Sequence, residues 1–321
     1  MSETPSRQQL EAADCWEPND VIPRRPAMTA FRQRTRYEQA RWRLARGYPI
    51  GSQPHVPRPG APKPRPVGSR LPLDYAQETG ANLVTPAALG GARARMSVIE
   101  PRQSFDHQRL WADLLSSEAL AFNLFGDLAA APPLADRAVH AWWPDAPGRI
   151  SDVRFAHSPG RLDPAWLNSL REFDAAFELG RADQGRGIVA VDVKFHERLK
   201  AETPKPENLW RTVAVAERSG AFGPGAIDAL SGRSELAVIW LEHLLLLSML
   251  QHVSGKWTWG RYVVVHPAGN PDMVEACARY RSLLANESTF GTMTIEELLD
   301  SAVLPAATTG ALRERYLADR S

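Results

Sequence analysis

The chain has 321 residues, with 38 Lys or Arg against 37 Asp or Glu, for a formal net charge of +1. A molecule so nearly neutral has no overall field to draw in a polyanion, so any nucleic-acid contact must come from local basic patches. Its 2 cysteines, Cys15 and Cys277, exclude a disulfide scaffold and a cysteine zinc site. The longest apolar stretch, ending at Leu250, is interrupted by Glu242, His243 and Ser248 and is too short to span a bilayer.

The chain opens MSETPSRQQLEAAD, without the basic start and apolar core of a signal peptide, which together with reduced cysteines fits a cytoplasmic protein. Residues 1–30 have little hydrophobic periodicity and are expected to be disordered or loosely attached. Residues 31–47 favour a basic helix anchored by Phe31, Tyr37 and Trp42 and closed by Gly47. Its arginines, with Arg36, Arg43 and Arg46 as candidate nucleic-acid contacts, form either a DNA-facing patch or a solvated face against an acidic partner. Residues 54–68 carry proline at nearly every second or third position and read as a linker. The expected division is a basic, proline-rich arm and linker over 1–70, a core over 71–270 and a helical cap over 271–321.

Within the core, a helix is expected over Phe105–Phe125, with short strands at Val139–Trp143 and Ile150–Ala156 flanking the Pro-Asp-Ala-Pro-Gly turn at 144–148. Two stronger strands follow, Glu172–Leu179 and Gly187–Phe195, joined by the polar loop Gly180–Arg186 at a spacing that permits a hairpin. A helical region around Glu207–Glu217, an apolar helix over Ser234–His252 and a strand over Gly260–His266 complete the core, with helices beyond residue 272.

Side chains alternate across a strand, so Asp174 and Glu178 share one side of their strand, as do Asp192, Lys194 and His196 of theirs. If the strands pair, Asp174 and Asp192 converge with Lys194 one step beyond, and two hard carboxylates suit Mg²⁺ or Mn²⁺. The plain alternative is an edge-strand ion pair with no catalytic use. Glu118 sits within the apolar stripe of Leu114, Leu115, Ala121, Phe122 and Phe125, where an unpaired carboxylate costs several kcal/mol, unless it reaches water at the stripe's margin. His243 reads as a satisfied core histidine. No H-E-x-x-H, phosphate-loop or G-x-S-x-G pattern occurs, which argues against zinc, nucleoside-triphosphate and serine-hydrolase chemistry.

A helix with Glu118, then strands, then Asp174, a loop and Asp192-Val193-Lys194, followed by an apolar helix and a strand, resembles the PD-(D/E)XK nuclease superfamily. The stretches LLSSEALAFNLFGDL, FDAAFELG and GIVAVDVKFHE are similar to those of a group of bacterial restriction-endonuclease-like proteins. The resemblance implies an α/β fold with an α-β-β-β-α-β core and a mixed central sheet flanked by helices. It also implies Mg²⁺- or Mn²⁺-dependent hydrolysis of DNA, with Asp174 and Asp192 as metal ligands, Lys194 orienting the water and Glu118 as an added helix carboxylate. Glu178 and His196 are secondary candidates. Two departures stand out: Phe173 replaces the motif's proline, and the second acid is Asp192 where many members have glutamate. The alternative is a binding protein that keeps the nuclease fold without turnover.

Overall fold

The computed structural model describes residues 4–54, 64–180 and 185–317. Residues 55–63 of the expected linker and 181–184 of the expected loop lie outside them. In chain order the elements begin with α1 (Arg7–Ala12), α2 (Pro26–Ala45), β1 (Gly51–Ser52), β2 (Pro66–Val67), α3 (Leu73–Thr79), α4 (Pro86–Met96), α5 (Ser117–Ala130) and α6 (Pro132–Trp142). The core strands β3 (Arg149–His157), β4 (Phe173–Gly180) and β5 (Arg186–Val193) follow, then α7 (Pro206–Ser219), α8 (Ala226–Ser231), α9 (Ala237–Leu250) and β6 (Trp257–His266). The chain ends with α10 (Pro271–Ser282), β7 (Phe290–Thr294), α11 (Ile295–Asp300) and α12 (Ala306–Tyr316).

Strands β3 to β7 form one five-stranded sheet in sequence order. The β3–β4 and β4–β5 pairs are antiparallel and the β5–β6 and β6–β7 pairs parallel, so the sheet is mixed. Parallel neighbours require a crossover, which α7–α9 and α10 supply. Central β5 is covered on both faces, which is why RGIVAVDV is almost continuously apolar. Val189, Val191 and Val193 pack with Phe122 and Phe125 of α5, whereas Ile188 and Ala190 pack with Trp240 and Leu244 of α9. On the α5 side, Gly126 permits a close helix crossing, since a Cβ there would stand 2.6 Å from the Ala88 Cα of α4.

Four expectations need correction. The strand expected at 139–143 is the end of helix α6. Ala135, Ala138, Val139 and Trp142 are buried at helical spacing, which outweighs the β-propensity of the paired tryptophans. The helix expected over 105–125 is broken at extended Asp113, and α5 begins only after Ser116, whose side chain accepts from the Ala119 N–H. Beyond residue 272 the chain is not all helical, because β7 joins the sheet edge. Residues 4–30 are built into the fold: Leu10 and Cys15 are buried, and Arg36 pairs with Asp20 and Glu17. At the other terminus, Arg315 of α12 donates to the Asn82 carbonyl at 2.6 Å and to Gln39 Oε1 of α2 at 3.2 Å. No described helix is long and apolar enough to cross a membrane.

Candidate active site

The β4–β5 register Ala175↔Val191, Ala176↔Ala190, continued by one step, sets Asp174 across from Asp192. The regular ladder stops there, and Asp174 Oδ2 accepts the Val193 N–H at 2.7 Å in place of a backbone carbonyl. Lys194 leaves β5 with its N–H bonded to the Val265 carbonyl at 2.8 Å and its Nζ 2.7 Å from Asp192 Oδ2. One strand end thus carries two facing carboxylates and an ammonium.

Asp192 points to the α9 side of the sheet, where Glu242 awaits it. The Tyr262 hydroxyl of β6 lies 3.2 Å from Asp192 Oδ2 and 3.0 Å from Glu242 Oε2. Arg171 reaches Glu242 Oε1 at 3.3 Å and Glu202 at 2.8 Å. Beside this pair opens a cavity of about 390 Å³ lined by Arg171, Glu202, Lys205, Asn208 and Leu241.

The charges within this group are strongly unequal. Burial works against ionising Asp192, but the Lys194 ammonium and hydrogen bonds outweigh it and bring its pKa down to about 2. Burial, reinforced by the charge on Asp192, pushes Glu242 up to about 8 and Asp174 well above the carboxylate range. Lys194 is also buried, yet Asp192, Glu242 and Asp174 hold it charged and raise its pKa. At neutral pH the resting cluster is therefore an Asp192–Lys194 ion pair beside a Glu242 carboxyl that favours its protonated form, with Asp174 pushed in the same direction. A single hydroxyl proton cannot serve both acceptors of Tyr262, and the proton on Glu242 meets the second demand. Sequence reading passed over Glu242. The signal was present: one acid inside the apolar run LAVIWLEHLLLL, on the same logic that singled out Glu118.

Glu118 comes from the opposite layer, since α5 covers the other face of β5. Among the described residues it makes no hydrogen bond or ion pair with Asp174 or Asp192. Burial pushes its carboxyl up to about 7, partly offset by Arg109. Arg109 is the link between the layers: despite partial burial, Glu197, Glu118, Asp174 and Asp113 raise its pKa, and it donates to Ser117 Oγ at 3.3 Å. His196 rests its Nδ1 3.1 Å from the Leu115 carbonyl, and burial lowers its pKa. Glu178 is remote from the strand end and is held by Arg154 and Arg186, each at 3.0 Å.

The expected basic face needs correction for two of its three arginines. Arg36 is buried against Asp20 and Glu17, and Arg43 is buried with its guanidinium on the Gly68 and Tyr48 carbonyls at 2.9 and 2.7 Å. Arg36 docks the N-terminal segment and Arg43 ties α2 to the stretch that follows it, so neither is free to meet a phosphate. Arg46 is exposed but engaged, with Glu314 at 2.8 Å and the Trp42 ring beneath it.

Among the described residues, no three acidic, histidine or cysteine side chains form a ready-made cation shell. The donor chemistry of Asp174 and Asp192 nevertheless fits a hard divalent ion. Two carboxylates face one another at one strand end; burial and then repulsion from Asp192 raise the Asp174 pKa, and the repulsion is what a shared dication relieves.

No curated protein and no solved structure matches the chain. The sequence pattern of the PD-(D/E)XK nuclease superfamily, in contrast, matches residues 26–318, from the first turn of α2 to just beyond α12. With a mixed sheet flanked by helices and acids at its strand ends, the chain belongs to the PD-(D/E)XK nuclease superfamily.

Proposed function

We propose that this chain is a metal-dependent phosphodiesterase that hydrolyses DNA, with Asp174, Asp192 and Lys194 at its centre. Membership of the superfamily implies a nucleic-acid substrate and a typical use of divalent ions. The observation that carries the finer reading is the register of β4 and β5, which sets Asp174 across from Asp192 with Lys194 Nζ 2.7 Å from Asp192 Oδ2.

Asp174 and Asp192 would hold Mg²⁺ or Mn²⁺. Such an ion lowers the pKa of a bound water and offsets charge gathering on a phosphoryl oxygen. The same ion would favour the ionised form of Asp174, against the upward pull of burial. Asp192, Glu242 and Asp174 favour the ammonium form of Lys194, which would orient the water and neutralise charge as a donor. Tyr262 and Glu242 hold Asp192 from behind, and Arg109, whose charge acts on Glu118 and Asp174, would be available to a phosphate oxygen.

A second reading has an observation of its own. Asp192 Oδ2 is already taken by Lys194 and Tyr262, as in a protein that keeps the fold for binding alone. Incubating supercoiled plasmid and single-stranded DNA with the protein in Mg²⁺, Mn²⁺ or EDTA separates the two. Metal-dependent cleavage supports the enzyme; DNA binding without cleavage in any metal supports the binder.

A further inference from the structure

Away from the Asp192–Lys194 pair, a cavity of about 800 Å³ lies between the loop after β3, the end of α9 and the start of β6. Its size suits a ligand of a few rings. Two of its lining cations, Arg102 and Lys256, have no acidic partner among the described residues. Arg102 donates only to the Arg161 and Leu162 carbonyls, at 3.4 and 2.9 Å, and Lys256 lies over the Trp257 ring at 4.8 Å. Arg154 and Arg161 also line the cavity but are neutralised, the first by Asp152 and Glu178, the second by Glu100 and Glu172.

The wall holds polar atoms that nothing in the chain satisfies. His157 and Ser158 are 7% and 8% exposed, and His157 Nε2 and Ser158 Oγ are buried without a hydrogen-bond partner. A buried unpaired polar atom costs of order 1–3 kcal/mol, so two of them on adjacent lining residues favour a ligand whose entry shifts the wall and lets them pair. Burial and Arg154 hold the His157 imidazole neutral, lowering its pKa to about 4, so it can accept or donate as the ligand requires. A flat aromatic surface completes the cavity, with the Trp166 and His252 rings stacked at 4.0 Å and 20°. Gly160 makes room for that stack, because a Cβ there would stand 2.7 Å from Trp166 Cδ1.

We propose that this cavity binds one phosphorylated nucleotide unit, its phosphate on Arg102 and Lys256, its polar edge on His157 and Ser158, and its base against the Trp166–His252 wall. The unit comes either from a free mononucleotide or from a phosphorylated strand end. His157 is the register partner of Phe173, the residue before Asp174, whereas Lys256 and Glu178 lie toward the opposite end of the sheet, so only the His157 side of the cavity faces the candidate active site. The strand-end source rests on the nuclease reading, and the free-nucleotide source does not.

The test is calorimetric titration of the full chain in EDTA, which silences metal-dependent cleavage and makes binding readable whatever the cleavage assay gives. The probes are dAMP, deoxyadenosine, inorganic phosphate and a short oligonucleotide with a 5′-phosphate or a 5′-hydroxyl. The expected result is binding that needs the phosphate, weakened at least about tenfold in both Lys256→Gln and Ser158→Ala and unchanged in Arg46→Gln. Binding of dAMP assigns the free nucleotide; Lys256-dependent preference for the 5′-phosphorylated strand, without dAMP binding, assigns the strand end. If neither dAMP nor the phosphorylated strand binds, or if both variants bind as wild type does while melting normally, the cavity is not a nucleotide site.

Discussion

Lys194 Nζ stands 2.7 Å from Asp192 Oδ2, with only 16% and 4% of the two side chains exposed. Neither charge tolerates that burial alone. Lys194→Met therefore destabilises the fold by about 3–5 kcal/mol, whereas the double variant Asp192→Asn with Lys194→Met recovers much of the loss. Urea unfolding of the single and double variants checks this. Equal stability of the two would mean that the pair is not coupled.

Glu242 rests in its protonated form beneath Tyr262, and an amide reproduces that form's shape and its donor. Glu242→Gln is expected to fold as wild type does and to keep cleavage within about threefold at neutral pH. Glu242→Ala removes one of the two partners of both the Tyr262 hydroxyl and Arg171, at about 1–3 kcal/mol in stability, and loosens Asp192. Melting curves and cleavage rates measured on the two variants distinguish these outcomes.

His243 is fully buried between the Tyr280 hydroxyl and Thr289 Oγ1, each at 2.9 Å, and burial lowers its pKa from 6.5 to about 3. The unfolded chain therefore binds a proton that the folded chain refuses between those values. The stability His243 confers is complete above about pH 6.5 and declines as pH falls toward 3, by at most about 1.4 kcal/mol per pH unit. The advantage of wild type over His243→Gln is expected to shrink between pH 7.5 and pH 5, measured by urea unfolding at each pH. A constant gap would mean that His243 protonates inside the fold.

Arg36→Ala leaves Asp20 buried without its cation and is expected to cost about 3–5 kcal/mol, while leaving the salt dependence of DNA binding unchanged. A residue on a phosphate would do the reverse: a small stability change and a shallower salt slope. Binding titrations across salt, beside a melting curve, separate these roles.

The sheet and its strand-end cluster were legible because they rest on local periodicity. Period-two alternation in FDAAFELG and GIVAVDVKFHE fixes which side chains share a face, and a short polar loop between two strands favours the antiparallel pairing that sets Asp174 across from Asp192. What stayed hidden depends on partners distant in the chain. Nothing in an arginine count reveals that Glu17 and Asp20 await Arg36. The five residues of β7, FGTMT, carry too little apolar pattern to mark a strand whose place is set by β6. Glu118 was read within an apolar stripe facing the core, but its layer depends on which face of the sheet α5 covers, and periodicity within one helix does not specify that.

We propose that Asp174, Asp192 and Lys194 together support phosphodiester hydrolysis. This role is tested most directly by the nicking rate of supercoiled plasmid in Mn²⁺, comparing wild type with Asp174→Ala, a variant that removes one facing carboxylate and leaves the Asp192–Lys194 pair intact. Wild type is expected to nick the plasmid in a way that EDTA abolishes, and the variant to nick at least about hundredfold more slowly while still melting cooperatively. Nicking by Asp174→Ala at the wild-type rate would contradict this role.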